Sequence, residues 1–176
     1  MRSKAPAYQG KLDGLCGLYA IVNAFEHCGI VDHEKLFQTG AKALSQRRWP
    51  AVLWEGLGFG DMQRMVKSCI GLKCALGIVV RYPFCRKPPK SNEEYWKRFD
   101  DLFSGGAICG IVGMRQPSYH WIVVRHDAGR LEFTDADPME PFKRKNKTSV
   151  FSGLRRRKSG QWLIDRSELI IFSRDR

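Results

Sequence analysis

Residues 13–25 read DGLCGLYAIVNAF, and their apolar pattern predicts the central helix of the N-terminal half of the chain. Apolar residues at positions 18, 19, 21, 22 and 25 recur with helical spacing and nearly surround the helix axis, which is typical of a buried helix. Gly29 follows as a residue suited to a helix C-terminus. The pattern predicts a first helix that begins near Cys16 and ends near Cys28.

Capping signals predict three further helices. Asp32 caps a second helix that runs to about Ser45, and a third, shorter helix follows Gly60 and ends at Gly71. Ser91 and Glu94 form a capping-box pattern that opens a helix with the sequence EEYWKRFDDLF. The connection WPAVLWEGLGFG at 49–60 is interpreted as irregular, with aromatic residues that favour core packing over a role as the wall of a substrate cleft.

The C-terminal half is rich in strand patterns. The strand candidates are residues 74–82, 107–114, 120–126, 131–135, 162–164 and 169–172. Because helices precede most of the strands, the predicted fold class is α+β, with N-terminal helices packed on a C-terminal antiparallel sheet.

Length and composition predict one domain over residues 1–176. A chain of this length, with 43% hydrophobic residues, can bury one substantial core but is short for two independent domains. We find neither a signal-peptide core nor a long uncharged apolar run, which predicts a soluble, cytoplasmic protein without a membrane span. Delivery into another cell's cytosol as an effector is a speculative alternative. Oligomeric state is left undetermined. The six cysteines form no Cys-x-x-Cys pair, so we interpret them as free thiols and expect no metal and no cofactor.

The chain is strongly basic, with a formal net charge of +12. Two basic runs stand out, KRKNK at 143–147 and RRRK at 155–158. Such a charge attracts anionic partners, so an acidic protein substrate is one interpretation and a nucleic-acid or anionic-surface binding module is a weaker alternative. Charge runs are more often solvated loops than binding sites.

Cys16 is the candidate nucleophile. A thiol attacks as its thiolate, and both a helix N-terminus and a neighbouring imidazolium favour that form. Gly14 and Gly17 leave little bulk around the sulfur, which we interpret as room for the backbone of a substrate. Gln9 lies seven residues upstream, and its carboxamide could form an oxyanion hole together with the backbone N–H of Cys16.

His120 is the candidate base, because it opens a predicted strand that would lie against the nucleophile helix. If the turn at 127–130 pairs His126 with Leu131, both Asp135 and Asp137 fall on the face of His120. Strand parity therefore admits either carboxylate as the group that orients the imidazole. The other histidines, among them His126, His27 and His33, are expected to have solvent-exposed roles.

The combination of these segments resembles the papain-like cysteine peptidases, and most closely their compact C39-like branch. The matching motifs are QGKLDGLCGLYAIVNA at 9–24, SYHWIVV at 118–124 and LEFTD at 131–135. The resemblance covers roughly residues 8–28 and 107–138, about a third of the chain. The resemblance lies in the order Gln, Cys, His, Asp, with a helix after the cysteine and a hairpin after the histidine. The gap between the glutamine and the cysteine is one residue longer than is usual in papain relatives.

The resemblance implies a cysteine protease that cleaves a peptide or isopeptide bond of a protein or peptide substrate. It implies Gln9 as the oxyanion donor, Cys16 as the nucleophile, His120 as the general base and acid, and Asp135 as the orienting acid. Asp137 is the alternative acid, because Pro138 follows it as proline often follows the acid in C39-like members. Papain-like folds also include acyl transferases and catalytically silent binding modules, and both remain alternative functions.

Overall fold

The computed structural model describes residues 14–127, 129–136, 142–153 and 160–175. Its helices are α1 (Cys16–His27), α2 (His33–Lys42), α3 (Trp49–Glu55), α4 (Phe59–Ile70) and α5 (Asn92–Ser104). Its strands are β1 (Ile78–Arg81), β2 (Ala107–Gln116), β3 (His120–Asp127), β4 (Arg130–Thr134), β5 (Phe142–Lys145), β6 (Val150–Ser152) and β7 (Trp162–Arg174). Gln9, Asp137 and the RRRK run lie outside the described residues.

The described strands form one sheet with the order β1-β7-β2-β3-β4-β5, in which all neighbours are antiparallel. The short strand β6 lies off this path and pairs with β7 in parallel. Four helices precede the whole sheet in the chain, and α5 lies between β1 and β2. The predicted α+β class with an antiparallel sheet is confirmed.

Helix α1 is buried in the layer between the other N-terminal helices and the sheet. Leu18, Ile21 and Phe25 are completely buried there and share one core with Val123 of β3 and Phe172 of β7. The nearly continuous apolar surface of α1 therefore reflects contacts on several sides at once. This packing fixes the N-terminal end of α1 against the middle of the sheet.

Helix α5 covers the other face of the sheet and was correctly predicted from its capping box. The Ser91 hydroxyl accepts a hydrogen bond from the Glu94 N–H at 3.0 Å. Tyr95 and Phe99 are completely buried in a second core that includes Val124 and Phe133. The sheet thus has helices on both of its faces, whereas the sequence analysis placed only the N-terminal helices on it.

The connection at 49–60 differs from expectation, because its first half is helix α3. Pro50 lies in the first turn of that helix. An N–H at this position would have no partner within the helix, so proline costs no hydrogen bond there, and its fixed φ suits the helical backbone. Core packing was a wrong prediction for Trp54, which is 85% exposed. Phe59 is partly buried at the start of α4, where its ring stacks on Trp121 with centroids 6.1 Å apart.

Strand boundaries also differ from the predictions. β1 begins only at Ile78, after a 3-10 turn at 73–75 and a left-handed Gly77 with φ of 79°. The two predicted strands at 162–164 and 169–172 are parts of one strand, β7, joined through a bulge. The basic run at 143–147 is largely strand β5 rather than a solvated loop, because its backbone pairs with β4.

Candidate active site

Cys16 is the first residue of α1, and its side chain is buried at the base of a cleft. The first N–H groups of a helix have no partner within the helix, and they carry the positive end of the helix dipole. The backbone two residues before Cys16 is held in place, since the Gly14 N–H donates to the carbonyl of Leu53 at 3.1 Å. The sulfur of Cys16 therefore lies at the positive end of the α1 dipole.

The glycines beside Cys16 have a different cause from the one expected. A Cβ on Gly14 would lie 2.7 Å from the carbonyl oxygen of Val52, and one on Gly17 would lie 2.5 Å from Sδ of Met62. The interpretation of these glycines as space for a substrate was wrong. They allow the start of α1 to approach α3 and α4 closely, which positions the sulfur.

His120 and Asp135 meet at the ends of β3 and β4. The predicted register is confirmed, since His126 pairs with Leu131 and the pairing continues to Val123 opposite Thr134. Asp135 directly follows β4, and its Oδ1 lies 2.6 Å from Nε2 of His120. Because a carboxylate only accepts, Nε2 carries the proton of this hydrogen bond.

The same imidazole contacts the candidate nucleophile. Burial of the His120 ring lowers its pKa, but hydrogen bonds to Asp135 and to Cys16 outweigh burial and raise the pKa to about 9. Since Nε2 is occupied by Asp135, Nδ1 is the nitrogen that remains for the thiol. The structure brings Cys16, His120 and Asp135 into one chain of contacts.

Asp135 is itself held from a second side. Its side chain is only 4% exposed, and its Oδ2 lies 3.3 Å from Nζ of Lys143 in β5. This contact was not predicted, because the basic run at 143–147 was interpreted only as a surface feature. Successive side chains of a strand point to opposite faces, so Lys143 and Lys145 share one face and Arg144 lies on the other. This alternation of faces is the signal that could have predicted an inward position for Lys143.

The cleft above Cys16 has a volume of about 360 Å³. It lies between the α3–α4 connection and the ends of β2 and β3, and residue 168 of β7 also lines it. Its side walls carry charged and aromatic groups, namely Arg48, Glu55, Arg115, Tyr119, Trp121 and Glu168. The indole N–H of Trp121 donates to the carbonyl of Leu57 at 2.6 Å and so fixes the cleft wall beside His120.

The remaining sequence candidates fall elsewhere. Gln9 and Asp137 lie outside the described residues, so their proposed roles stay predictions. The exposed role expected for His27 was wrong, because its Nε2 lies 2.9 Å from the Thr134 hydroxyl. Burial, aided by the charge of Arg125, lowers the pKa of His27 to about 4.

His126 is likewise not a free surface residue. Its ring makes edge contacts with Phe99 and Phe103, at centroid distances of 6.4 and 6.0 Å. Its Nδ1 lies 3.8 Å from Asp100. His33 is half-exposed at the start of α2 and lies 3.3 Å from Glu26. We find none of these histidines lining the cleft of Cys16.

The basic run at 143–147 is largely engaged within the protein. Arg144 lies 3.6 Å from Glu132, and Lys147 contacts Asp100 at 2.5 Å. Lys145 lies over the Trp162 ring at 4.5 Å. With Lys143 on Asp135, all four basic side chains of the run have a contact within the protein.

Neither a membrane-crossing helix nor a metal-binding cluster is found within the described ranges. No helix there is long and apolar enough to span a bilayer. No group of three or more histidine, cysteine or acidic side chains there could hold a metal ion. The six cysteines, all described, are free thiols.

The described residues form an α+β domain with helices on both faces of one sheet. Among solved structures, the chain is similar to the peptidase domain of ComA from Streptococcus, a bifunctional ABC transporter involved in a quorum-sensing pathway. The TM-score is 0.53 at 16% identity, over 96% of this chain and 97% of that domain. This likeness shows the fold. No protein-family model matches the sequence, and no curated protein matches it significantly.

Proposed function

We propose that this chain is a cysteine peptidase of the papain-like type, with Cys16 as nucleophile, His120 as base and acid, and Asp135 as the orienting acid. The observation that carries the proposal is the position of the His120 ring. One nitrogen lies 2.6 Å from the Asp135 carboxylate, and the nearby Cys16 thiol at the start of α1 helps to raise the pKa of the ring. The shared fold with a peptidase domain supports the same reaction class.

In the proposed reaction, His120 holds the proton of the Cys16 thiol, and the sulfur attacks the carbonyl carbon of a peptide bond. The Asp135 carboxylate stabilises the imidazolium that results. The backbone N–H of Cys16 and the carboxamide of Gln9 are proposed to stabilise the oxyanion. His120 then donates its proton to the leaving amine as the C–N bond breaks, which leaves a thioester on Cys16.

Water completes the cycle. His120 removes a proton from a water molecule that attacks the thioester carbonyl, and the sulfur leaves as the thiolate. A carboxylic acid product is released, and the thiolate–imidazolium pair is restored. If a primary amine attacks in place of water, the same thioester yields an amide, and the protein is an acyl transferase.

The proposed substrate is a protein or peptide that enters the cleft above Cys16 in extended form. Glycines at 56 and 58 line this cleft, so the backbone of a peptide can approach this wall. Trp121 and Tyr119 also line this cleft. An acidic substrate remains an attractive partner for the chain as a whole because of its net charge of +12.

The test is proteolysis of a diverse peptide library by the purified chain, with products identified by mass spectrometry. Wild type is expected to yield new carboxyl termini, while Cys16→Ala and His120→Ala yield none above background. Cys85→Ala is the matched control, because Cys85 is an exposed thiol remote from the cleft lining, and it should retain activity. Cleavage that persists in Cys16→Ala would contradict the proposal.

A parallel reaction with an added primary amine separates the peptidase from the transferase. Products that carry only free carboxylates support the peptidase. Products in which the acyl group is joined to the amine, in excess over hydrolysis, would replace it with the transferase.

A further inference from the structure

A bulge in β7 directs Glu168 across β2 into the cleft. The sheet register pairs Val112 with Leu169 and Met114 with Ile164, so Gly113 alone faces the β7 segment 165–168. Bulges beside active sites re-aim side chains that a regular strand would place elsewhere. Here the bulge places Glu168 in the cleft lining that also contains Cys16 and His120.

Gly113 makes room for the Glu168 carboxyl group. A Cβ on Gly113 would lie 2.1 Å from Oε2 of Glu168 and 3.2 Å from its Cδ. Any side chain at this position would displace the carboxyl group. The glycine of β2 and the bulge of β7 therefore act together to hold this group over the floor of the cleft.

The other polar side chains of the bulge have partners within the protein. Asp165 accepts hydrogen bonds from Ser167, at 2.6 Å from its hydroxyl, and from the guanidinium of Arg115. Arg166 donates to the carbonyls of Lys90 and Ser152 at 2.7 and 2.9 Å. Glu168 differs, since among the described residues its carboxyl group has neither a hydrogen-bond partner nor an ion pair.

The cations that line the cleft are already paired. Arg115 is bound to Asp165, and Arg48 lies 2.6 Å from Asp61, which is buried. The acidic groups of the lining, Glu168 and Glu55, have no such partner among the described residues. In a chain with a net charge of +12, the catalytic cleft is thus locally acidic.

The Glu168 carboxyl group also lies in surroundings that disfavour its charge. Burial raises its pKa, the nearby Asp165 adds to the increase, and Arg115 opposes it. A cation brought against this group would form a charge-assisted hydrogen bond in a partly desolvated site, where such bonds are strongest.

We propose that Glu168 is a specificity-determining residue that binds a lysine or arginine side chain of the peptide substrate beside the bond that Cys16 attacks. This inference rests on the proposed function, and it adds the chemistry of one substrate side chain. It predicts a basic residue at one position of the substrate, even where the rest of the substrate is acidic and is attracted by the basic surface of the protein.

The experiment uses peptidyl acyloxymethyl ketones, which alkylate an activated active-site cysteine. A norleucine-containing parent peptide is varied by placing Lys, Arg or Glu at each position in turn. The rate of Cys16 labelling is followed by mass spectrometry for wild type, Glu168→Gln and Gly113→Ala. In wild type, Lys or Arg at one position should label Cys16 about tenfold faster than norleucine, and Glu should label it more slowly.

The ratio of the Lys rate to the norleucine rate is the decisive quantity. It should fall to near one in Glu168→Gln, and it should also fall in Gly113→Ala, where the carboxyl group is present but displaced. Glu55→Gln and the remote, exposed Glu93→Gln should retain the wild-type ratio. Equal labelling by Lys and norleucine probes in wild type, or a preference that is lost in Glu55→Gln instead, would overturn the assignment of Glu168.

Failure of the proposed function has a different signature. If no probe labels Cys16, or if labelling is unchanged in His120→Ala, both the peptidase proposal and this inference are rejected. If Cys16 is labelled in a His120-dependent manner but without preference for a basic residue, only the role of Glu168 is rejected.

Discussion

Nε2 of His120 and Oδ1 of Asp135 lie 2.6 Å apart at the adjoining ends of β3 and β4. This contact holds Nε2 against the carboxylate and leaves Nδ1 for Cys16. The carboxylate is buried and is also contacted by Lys143 at 3.3 Å, so its orientation is determined from two sides. The proposed chemistry depends on this arrangement.

Asp135→Asn should lower both the pKa of His120 and the peptidase activity. The hydrogen bond to the Asp135 carboxylate is one of the contacts that raise this pKa to about 9, and an amide cannot replace its charge. Burial then dominates, so the ring should titrate closer to the ordinary value of about 6.5. An NMR titration of the His120 ring measures the shift, and kcat/KM should fall on the order of 10³-fold.

The same raised pKa predicts a change in stability with pH. A charged His120 is favoured in the folded state, so its contribution to the free energy of unfolding is complete below pH 6.5 and is lost as pH rises through about 9. Denaturant unfolding at a series of pH values should show this decline in wild type and a smaller one in His120→Gln. An identical decline in the two proteins would contradict the assigned pKa.

Gln9→Ala should impair catalysis without abolishing it. Loss of one oxyanion donor reduces kcat by about 10²- to 10³-fold, while the thiol and its base remain. The variant should therefore be slower than wild type and still faster than Cys16→Ala when all three are assayed on the same peptide. Wild-type activity in Gln9→Ala would remove Gln9 from the site.

Gly17→Ala should destabilise the protein by about 1 to 3 kcal/mol, because overpacking forces neighbouring side chains to move. The new Cβ would lie 2.5 Å from Sδ of Met62 and 2.9 Å from Cδ1 of Leu57. Gly60→Ala is the matched control in helix α4, since a Cβ there meets nothing within 4 Å. It should be neutral or stabilising by about 0.5 to 1 kcal/mol. Thermal unfolding of both variants measures the difference, and equal stability would refute the close-packing account of Gly17.

His27 should make the protein sensitive to mild acid. Its folded pKa of about 4 lies below the ordinary value of 6.5, so its contribution to stability is present above pH 6.5 and is lost as pH falls toward 4. The loss over this range amounts to at most about 3 kcal/mol. His27→Gln retains a group that can bond to Thr134 but does not titrate, so its stability should fall less between pH 7 and 4. A steeper fall in the stability of His27→Gln than of wild type over this pH range would contradict the lowered pKa of His27.

Much of the fold and part of the candidate site could be predicted from local sequence patterns. The apolar periodicity of α1, the Ser91 capping box and the hairpin register of His126 and Leu131 each depend on residues close in sequence, and the structure has all three. The register placed Asp135 and Asp137 on one face, but parity alone could not choose between them. The contact of Asp135 with His120 depends on the three-dimensional path of the chain after β4.

Other features depend on contacts between distant segments. A glycine is required at position 17 because Met62 and Trp121 lie too close for a side chain there, and no sequence pattern around Cys16 reveals these contacts. The Glu168 site requires a bulge opposite Gly113, and in sequence this bulge was visible only as a gap between two strand candidates. The pairing of Lys143 with Asp135 likewise requires β5, which a run of basic residues does not suggest by local propensity.

The most direct test of the account is the rate at which Cys16 reacts with iodoacetamide at pH 6, compared with the exposed Cys85 in the same molecule. Peptide mapping by mass spectrometry gives both rates in wild type and in His120→Ala. Since thiolates rather than thiols react, Cys16 should be alkylated faster than Cys85 despite its burial, and this advantage should disappear in His120→Ala. A Cys16 that reacts more slowly than Cys85 in wild type, or equally fast with and without His120, would contradict an activated nucleophile.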